Sequence, residues 1–234
     1  MPILTIDNYR KTENVLAGIY QVRQAPWWLP TGIVSSNVIA AYQFKGAVDE
    51  ATALLNVNDM STYPLTKDSG ITWNKNNGFY FPSGNYALNN TNLNTLVPNF
   101  IAFRFSDKAS GGRRFLTDMN NNCAFSFGIP ASYVSNNQEL SLLTSDVRRF
   151  GNQTMTNGVV MADINNKQVY VNGSNVSMTS SVVKDSDNYL PRTIGGTNYT
   201  ENSSTSANFQ AAVFYSTVLT AAQVVELTIS MQNL

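Results

Sequence analysis

The acidic residues are the first candidates for catalysis, because hydrolysis of a glycosidic bond uses two carboxylates that face the same bond. On a strand, such a pair needs alternating spacing so that both side chains lie on one face. Asp49 and Glu50 are neighbours and would point to opposite faces of a strand, and Asp185 and Asp187 fall within the turn-like segment KDSDN. We therefore predict no catalytic residue and expect the protein not to be an enzyme. Glycosidase activity stays an alternative only if carboxylates from distant strands converge.

Histidine is absent from the 234 residues. This excludes mechanisms that use an imidazole as base or metal ligand, among them the Ser-His-Asp triad and His-ligated zinc. The single cysteine, Cys123, cannot form an intrachain disulfide and is interpreted as a small buried hydrophobic residue. The sequence predicts neither a metal site nor a cofactor.

One segment, from Asp118 to Asn122, has alternating oxygen-bearing side chains, as at the start of a calcium-binding loop. A cysteine stands where such a loop requires glycine, and no glutamate closes it. We interpret the segment as a hairpin turn. Calcium held by separate loops stays an alternative, and Asp118 is the first residue to test for it.

Aromatic residues make up 11% of the chain. Saccharide sites place aromatic faces against sugar rings, beside side chains that bond to hydroxyl groups. Most phenylalanines are expected in the core. Four aromatic residues lie in or beside polar, turn-rich segments and are the candidate ligand-binding residues: Trp73, Tyr86, Tyr133 and Tyr199. The alternative is that each of them anchors its own loop.

The charge of the chain excludes another class of function. Charged residues are 13% of the sequence, and 15 basic residues balance 15 acidic ones. A chain with a net charge of zero lacks the excess of basic residues that nucleic-acid-binding proteins use to contact phosphates. The sequence shows no signal peptide and no apolar run long enough to cross a membrane, so we expect synthesis in the cytoplasm and no membrane span.

The elements that must position these side chains are mostly strands. From Val38 onward, short apolar runs such as VIAAYQF and NFIAFRFS alternate with turn clusters such as NKNNG and PSGN. Asn172-Gly173 predicts a tight hairpin turn with positive φ. Near the end, Thr220 and Gln223 match a capping box and predict a helix over AAQVVELTI. The pattern predicts an all-β fold, a two-sheet antiparallel sandwich with one short C-terminal helix.

Residues 1–36 lack this pattern and are predicted to form an N-terminal arm or attachment segment, with the sandwich over 37–234. In the arm, Trp27 and Trp28 lie between two prolines, which excludes a regular helix. Leaving two tryptophan side chains exposed to water would cost free energy, so we expect both to pack against another protein surface. We expect a neighbouring subunit, which makes Trp27 and Trp28 candidate assembly-interface residues. Packing on the sandwich's own flank is the alternative.

The order of these pieces resembles the laminin G-like, concanavalin A-type jelly roll from about Asn37 to Ser230. The opening IAAYQFKGAVDEA, the hairpin QVYVNG and the final VFYSTVLTAAQVVEL are similar to the corresponding segments of that family. Asn172 stands where the family's hairpin usually has aspartate, and Gln223 where its helix start commonly has glutamate. The resemblance implies a jelly-roll sandwich of the lectin and glucanase kind.

The segment WWLPTGIVSSNVIAAYQFKGA resembles tail or virion-associated proteins of tailed bacteriophages that carry this lectin-like domain. The resemblance implies a protein of the virion surface, made in the host cytoplasm, whose partners are other virion proteins and further copies of itself. Two functions stay open: binding of bacterial surface glycans, or purely structural decoration or cementing of a tail or capsid without sugar binding. A glycoside hydrolase of the same fold is the third alternative.

Overall fold

The computed structural model describes most of the chain after residue 25. The described residues are 26–84, 86–90, 98–109, 113–118, 123–127, 139–143, 147–152, 155–177, 179–183, 191–195 and 206–234. Residues 1–25 of the predicted arm, Tyr133 and Tyr199 lie outside them.

Two antiparallel sheets form the body of the protein. The strands of the first sheet are β1 (Val38–Gln43), β3 (Thr72–Asn74), β4 (Gly78–Phe81), β6 (Phe100–Ser106), β11 (Gly158–Asp163), β12 (Gln168–Val171), β13 (Ser174–Val176) and β16 (Ala207–Tyr215). The strands of the second sheet are β2 (Thr66–Lys67), β5 (Ala87–Asn89), β7 (Arg113–Asp118), β8 (Cys123–Phe127), β9 (Glu139–Leu143), β10 (Val147–Asn152), β14 (Thr179–Val183) and β15 (Pro191–Gly195). The helices are α1 (Glu50–Ala53) and α2 (Ala221–Gln232), and a 3-10 turn covers Ser35–Asn37.

The strand order shows how distant parts of the chain meet. The first sheet runs β13-β12-β11-β6-β16-β4-β3, with β1 also paired to β16, and the second runs β14-β10-β9-β8-β7-β15-β5-β2. The last strand, β16, therefore lies at the centre of the first sheet. This architecture confirms the predicted two-sheet antiparallel sandwich with a C-terminal helix.

Aromatic side chains fill the space between the sheets. Alternation along β6 sends Phe103 and Phe105 into this inner core. The ring of Phe103 stacks on Phe115 of the second sheet with centroids 5.7 Å apart, and Phe115 also stacks on Phe209 at 5.5 Å. These contacts join the two sheets.

The first sheet is also covered on much of its outer face. Outward side chains of β6, β11 and β16 pack against Val224, Leu227 and Met231 of α2 to form an outer core. Of β16, Ala211, Val213 and Tyr215 belong to this outer core, and all nine residues of the strand are buried. Burial on both faces explains why ANFQAAVFY has no clear polar alternation.

The predicted capping box begins α2. The backbone N–H of Thr220 donates to Gln223 Oε1 at 2.9 Å, and the backbone N–H of Gln223 donates to Thr220 Oγ1 at 3.4 Å. These two backbone N–H groups, which have no partner within the helix, are thereby satisfied, as the sequence predicts.

Residues 26–34, which we call the clasp, complete the outer cover. Trp27 and Trp28 are partly buried against the outer core. The indole N–H of Trp27 donates to Gln43 Oε1 at 3.1 Å, and the hydroxyl of Tyr215 donates to the carbonyl of Trp28 at 3.0 Å. The clasp is thus bonded to both β1 and β16.

Helix α2 bonds to the clasp as well. The Glu226 carboxylate accepts from the backbone N–H of Thr31 at 2.9 Å and from its hydroxyl at 3.1 Å. The side-chain amide of Gln223 donates to the Thr31 carbonyl at 3.0 Å. This part of the predicted arm packs on its own sandwich. A domain boundary at residue 36 stays a prediction, as does a contact of the two tryptophans with a neighbouring subunit.

Candidate functional site

Beyond the C-terminal end of α2, the outer side chains of the first sheet change from apolar to polar. We call the surface made by Tyr80, Arg104, Ser106, Asn208 and Gln210 the polar face. The strand register places Asn208 opposite both Tyr80 and Ser106. Directly opposed residues of an antiparallel pair lie on the same face of the sheet. Three strands, β4, β16 and β6, therefore build this surface together.

Tyr80 is the exposed aromatic residue of the polar face, with 43% of its surface accessible. Its neighbours Phe79 and Phe81 belong to the inner core, so the alternation of β4 turns Tyr80 outward. On its other side it is paired with the exposed Thr72. The sequence analysis did not select Tyr80, although the period-two pattern of GFYF contained the signal.

Hydrogen bonds fix the polar side chains around Tyr80. A register irregularity between Phe209 and Ala211 sets Gln210 apart from the regular pairing, and its side-chain amide donates to Ser106 Oγ at 3.0 Å. The Ser106 hydroxyl donates to Asp107 Oδ2 at 2.9 Å, and the Asn208 amide donates to the same oxygen at 2.7 Å. The amide groups are held in place before any ligand arrives.

A pocket of about 300 Å³ opens on this surface. Polar side chains dominate its lining: Arg104, Ser106, Asn157, Asn172, Gln210 and Gln232. The Asn172 oxygen accepts from the backbone N–H of Val159 at 3.0 Å and from the Gln232 amide at 3.4 Å. Such a lining suits a ligand rich in hydroxyl groups, because amides both donate and accept hydrogen bonds.

The turn that carries Asn172 has the predicted conformation. Asn172 has a φ of 47° and Gly173 a φ of 82°, as a two-residue hairpin loop requires. The turn joins Val171 to Ser174, which pair across the hairpin. The hairpin therefore brings Asn172 to the pocket.

Two cations lie at the polar face. Burial lowers the pKa of the Arg104 guanidinium. Burial also lowers the pKa of the Lys45 ammonium, and the nearby charge of Arg104 lowers it further. The backbone N–H of Lys45 donates to the Gln210 carbonyl at 2.9 Å, which holds this residue beside the pocket lining.

The sequence-predicted aromatic candidates that fall within the described residues lie elsewhere. Trp73 is partly buried against the inner core and donates its indole N–H to the Phe44 carbonyl at 2.7 Å. Tyr86 packs on the same core and lies against Gly70 so closely that a Cβ there would overlap its ring. Both side chains contact the inner core, and neither lines the pocket.

Within the described part of the chain, no group of three His, Cys, Asp or Glu side chains is placed to hold a metal ion. Asp118 ends β7, and residues 119–122 lie outside the described ranges. We expect EDTA to leave the melting temperature unchanged, because a core of this size is sufficient without metal. Thermal denaturation with and without chelator measures this. A fall of many degrees would show a calcium site, with Asp118→Asn as the next variant.

No helix within the described ranges has both the length and the apolar character that crossing a membrane requires.

Two packed antiparallel sheets define a β-sandwich, and solved structures share this fold. A sialidase from Trypanosoma rangeli in complex with 2,3-difluorosialic acid matches with a TM-score of 0.54 at 13% identity, over 84% of this chain and 33% of the sialidase chain. Domain 4 of an extracellular arabinanase from Geobacillus stearothermophilus, in complex with arabinotriose, matches with a TM-score of 0.52 at 12% identity, over 82% of this chain and 98% of that domain. The binding domain of botulinum neurotoxin DC in complex with SialylT matches with a TM-score of 0.52 at 14% identity, over 85% of this chain and 52% of that chain.

The chain spans about a third of the sialidase chain that it matches. No protein-family model matches the sequence, and no curated protein matches it. At these identities the likeness establishes the β-sandwich fold alone.

These comparisons correct the expectation that the protein is not an enzyme. Sialidase chains contain the same fold, so a sandwich of this kind occurs within enzymes. The spacing of acidic residues in the sequence can exclude only a catalytic pair of carboxylates on a single strand. Groups supplied by separate loops are not covered by that test. The sequence therefore does not exclude an enzyme, and the prediction of a non-enzyme does not stand.

Proposed function

We propose that this protein binds glycans through the polar face. The observation that carries the proposal is the exposed ring of Tyr80 beside oriented amide and hydroxyl groups on a rigid sheet. An aromatic face packs on the apolar side of a sugar ring, and neighbouring amides bond to its hydroxyl groups. Structures of the same fold in complex with arabinotriose and SialylT support the proposal.

Binding at a single polar face is expected to be weak. Each sugar hydroxyl gives up bonds to water when it binds, so the net gain per hydrogen bond is only about 0.5–1.5 kcal/mol. Display in several copies raises the apparent affinity without new contacts. A glycan array should therefore be probed with multimerised protein.

We expect Tyr80→Ala to lower glycan affinity about tenfold, which corresponds to about 1.4 kcal/mol of lost ring contact. Tyr80→Phe should keep most of the affinity, because the ring remains. Met60→Ala is the matched control, since Met60 is 59% exposed on a loop away from β4. Binding of each variant to the array hits measures the effect. If multimerised wild-type protein binds no glycan, the purely structural role becomes the better explanation.

We also propose that this binding takes place on the virion of a tailed bacteriophage, with other virion proteins and further copies of the chain as partners. The support is the sequence resemblance of the segment from Trp27 to Ala47, WWLPTGIVSSNVIAAYQFKGA, to virion-associated proteins. Labelling the protein on purified particles and imaging them tests this location. Absence of the label from intact particles would overturn it.

A further inference from the structure

Two cations at the polar face form no recorded ion pair with an Asp or Glu side chain in the part of the chain that the structure describes. Arg104 points outward from β6, where it lies opposite Ala211 on one side and Val159 on the other. Lys45 follows β1, and its backbone bonds to the carbonyl of Gln210. Like charges this close repel each other, more strongly where burial reduces screening by water.

Arg104 has unused donors that reach the pocket. Its Nη1 donates to the carbonyl of Met231 and, at 3.1 Å, to Leu234 O. A guanidinium has five N–H donors, so the donors on Nε and Nη2 remain. No group within the described ranges accepts from them, and Arg104 lines the pocket. The bond to the end of α2 also fixes the guanidinium in position.

No Asp or Glu side chain whose placement the structure describes is recorded in an ion pair with Lys45 or Arg104. Asp107, which is next to the polar face, accepts from Ser106 and Asn208. Glu50 pairs with Lys67 at 3.1 Å, and Glu226 holds the clasp. The bonds to Asp107 come from neutral groups, so its charge remains; the two cations Lys45 and Arg104 still exceed it by one positive charge, which a ligand can neutralise.

We propose that the polar face prefers glycans that carry a carboxylate, with the acidic group bound by Lys45 and Arg104 and a sugar ring on Tyr80. This inference rests on the proposed glycan binding. Tyr80 and Arg104 are two strands and two residues apart, which is about 12 Å between their Cα atoms at ordinary sheet spacings. Both side chains are long and lie on the same face, so they can contact one acidic disaccharide unit.

The chemistry of the two cations fits a carboxylate. A guanidinium forms a planar fork that matches the two oxygens of a carboxylate, and such charge-assisted bonds are about twice as strong as neutral ones. The main-chain oxygens of Met231 and Leu234 offset part of the charge of Arg104, so the second charge on Lys45 is needed for net attraction. Lys45 is therefore the residue whose removal should change ligand preference most cleanly.

The test is an array that carries uronic-acid oligosaccharides beside the same oligosaccharides with their carboxyl groups reduced to neutral alcohols. Multimerised wild-type protein should bind the acidic forms at least tenfold more tightly, and added salt should reduce this ratio. Lys45→Gln should lower the ratio to within about twofold of unity. Lys167→Gln is the matched control and should keep the wild-type ratio, because Lys167 lies in the turn between β11 and β12, at the end of β11 away from the pocket.

The two proposals fail in different ways. A wild-type ratio near one, or a Lys45→Gln ratio equal to wild type, overturns the preference for carboxylates while glycan binding stands. Loss of affinity for acidic and neutral forms alike in Tyr80→Ala supports glycan binding at the polar face. Absence of binding to every form overturns both proposals. Arg104→Lys serves as a second variant, with its melting temperature measured because Arg104 also holds the end of α2, and it should lower the ratio in a folded protein.

Discussion

Gly78→Ala is expected to destabilise the protein by about 3 kcal/mol or more. Gly78 has a φ of 81°, a conformation that costs an L-residue roughly 1–2 kcal/mol. In addition, a Cβ at this position would overlap the carbonyl oxygen of Phe209. That oxygen belongs to the backbone of the central strand β16 and cannot move as the end of a side chain can. Either β4 or β16 must therefore shift. The shift weakens the hydrogen bonds between the two strands, and this loss adds to the backbone cost of the positive φ.

Gly46→Ala is the matched control for this variant. Gly46 also has a positive φ, 77°, but the atom nearest to an added Cβ is the side-chain nitrogen of Gln43 at 3.4 Å. A flexible side chain can move away, so only the backbone cost of about 1–2 kcal/mol is expected. Urea denaturation of both variants measures the two losses. Equal losses would contradict a special role for the contact between β4 and β16.

The second large effect is expected for the double variant Trp27→Ala with Trp28→Ala. Removing two partly buried indoles uncovers the outer core at Tyr215 and should cost about 3 kcal/mol. The indole N–H of Trp28 is buried without a hydrogen-bond partner among the described residues, so removing it recovers part of the loss. Trp27, which bonds to Gln43, should account for most of the effect.

Val34→Ala is the control within the same segment. Val34 is 51% exposed, so this substitution should lower the free energy of unfolding by less than about 0.5 kcal/mol. Urea denaturation and analytical ultracentrifugation of the variants address stability and self-association separately. A stability loss with unchanged mass supports the clasp as part of the fold. Unchanged stability with loss of an oligomer would instead support the predicted interface with a neighbouring subunit.

Local patterns in the sequence were sufficient for the fold class. Period-two alternation and turn residues predict strands because they depend on neighbours only a few residues away. The hairpin at Asn172 and Gly173 and the capping box at Thr220 and Gln223 were found in this way, and the structure contains both. Each is formed by residues within three positions of one another.

The candidate site needed contacts between distant parts of the chain. Trp73 looked like an exposed ring in a polar segment, yet its indole bonds to the carbonyl of Phe44, which lies 29 residues earlier. In the sequence, Tyr80 stands between Phe79 and Phe81, which both belong to the core. Only the pairing of β4 with β16 places Tyr80 beside Asn208. Sequence spacing does not report which strand lies next to which.

The positions of Lys45, Arg104 and the clasp also depend on contacts between distant parts of the chain. Composition shows a balanced charge of zero, and only the fold brings Lys45 and Arg104 together at one surface. The clasp tryptophans had to pack on something, and the hydroxyl of Tyr215, 187 residues further along the chain, bonds to the Trp28 carbonyl. The sequence by itself determined the strands, turns and helix, because local backbone preferences and alternation produce them. The tertiary structure decided which side chains share the polar face, because strand order joins residues that no local pattern connects.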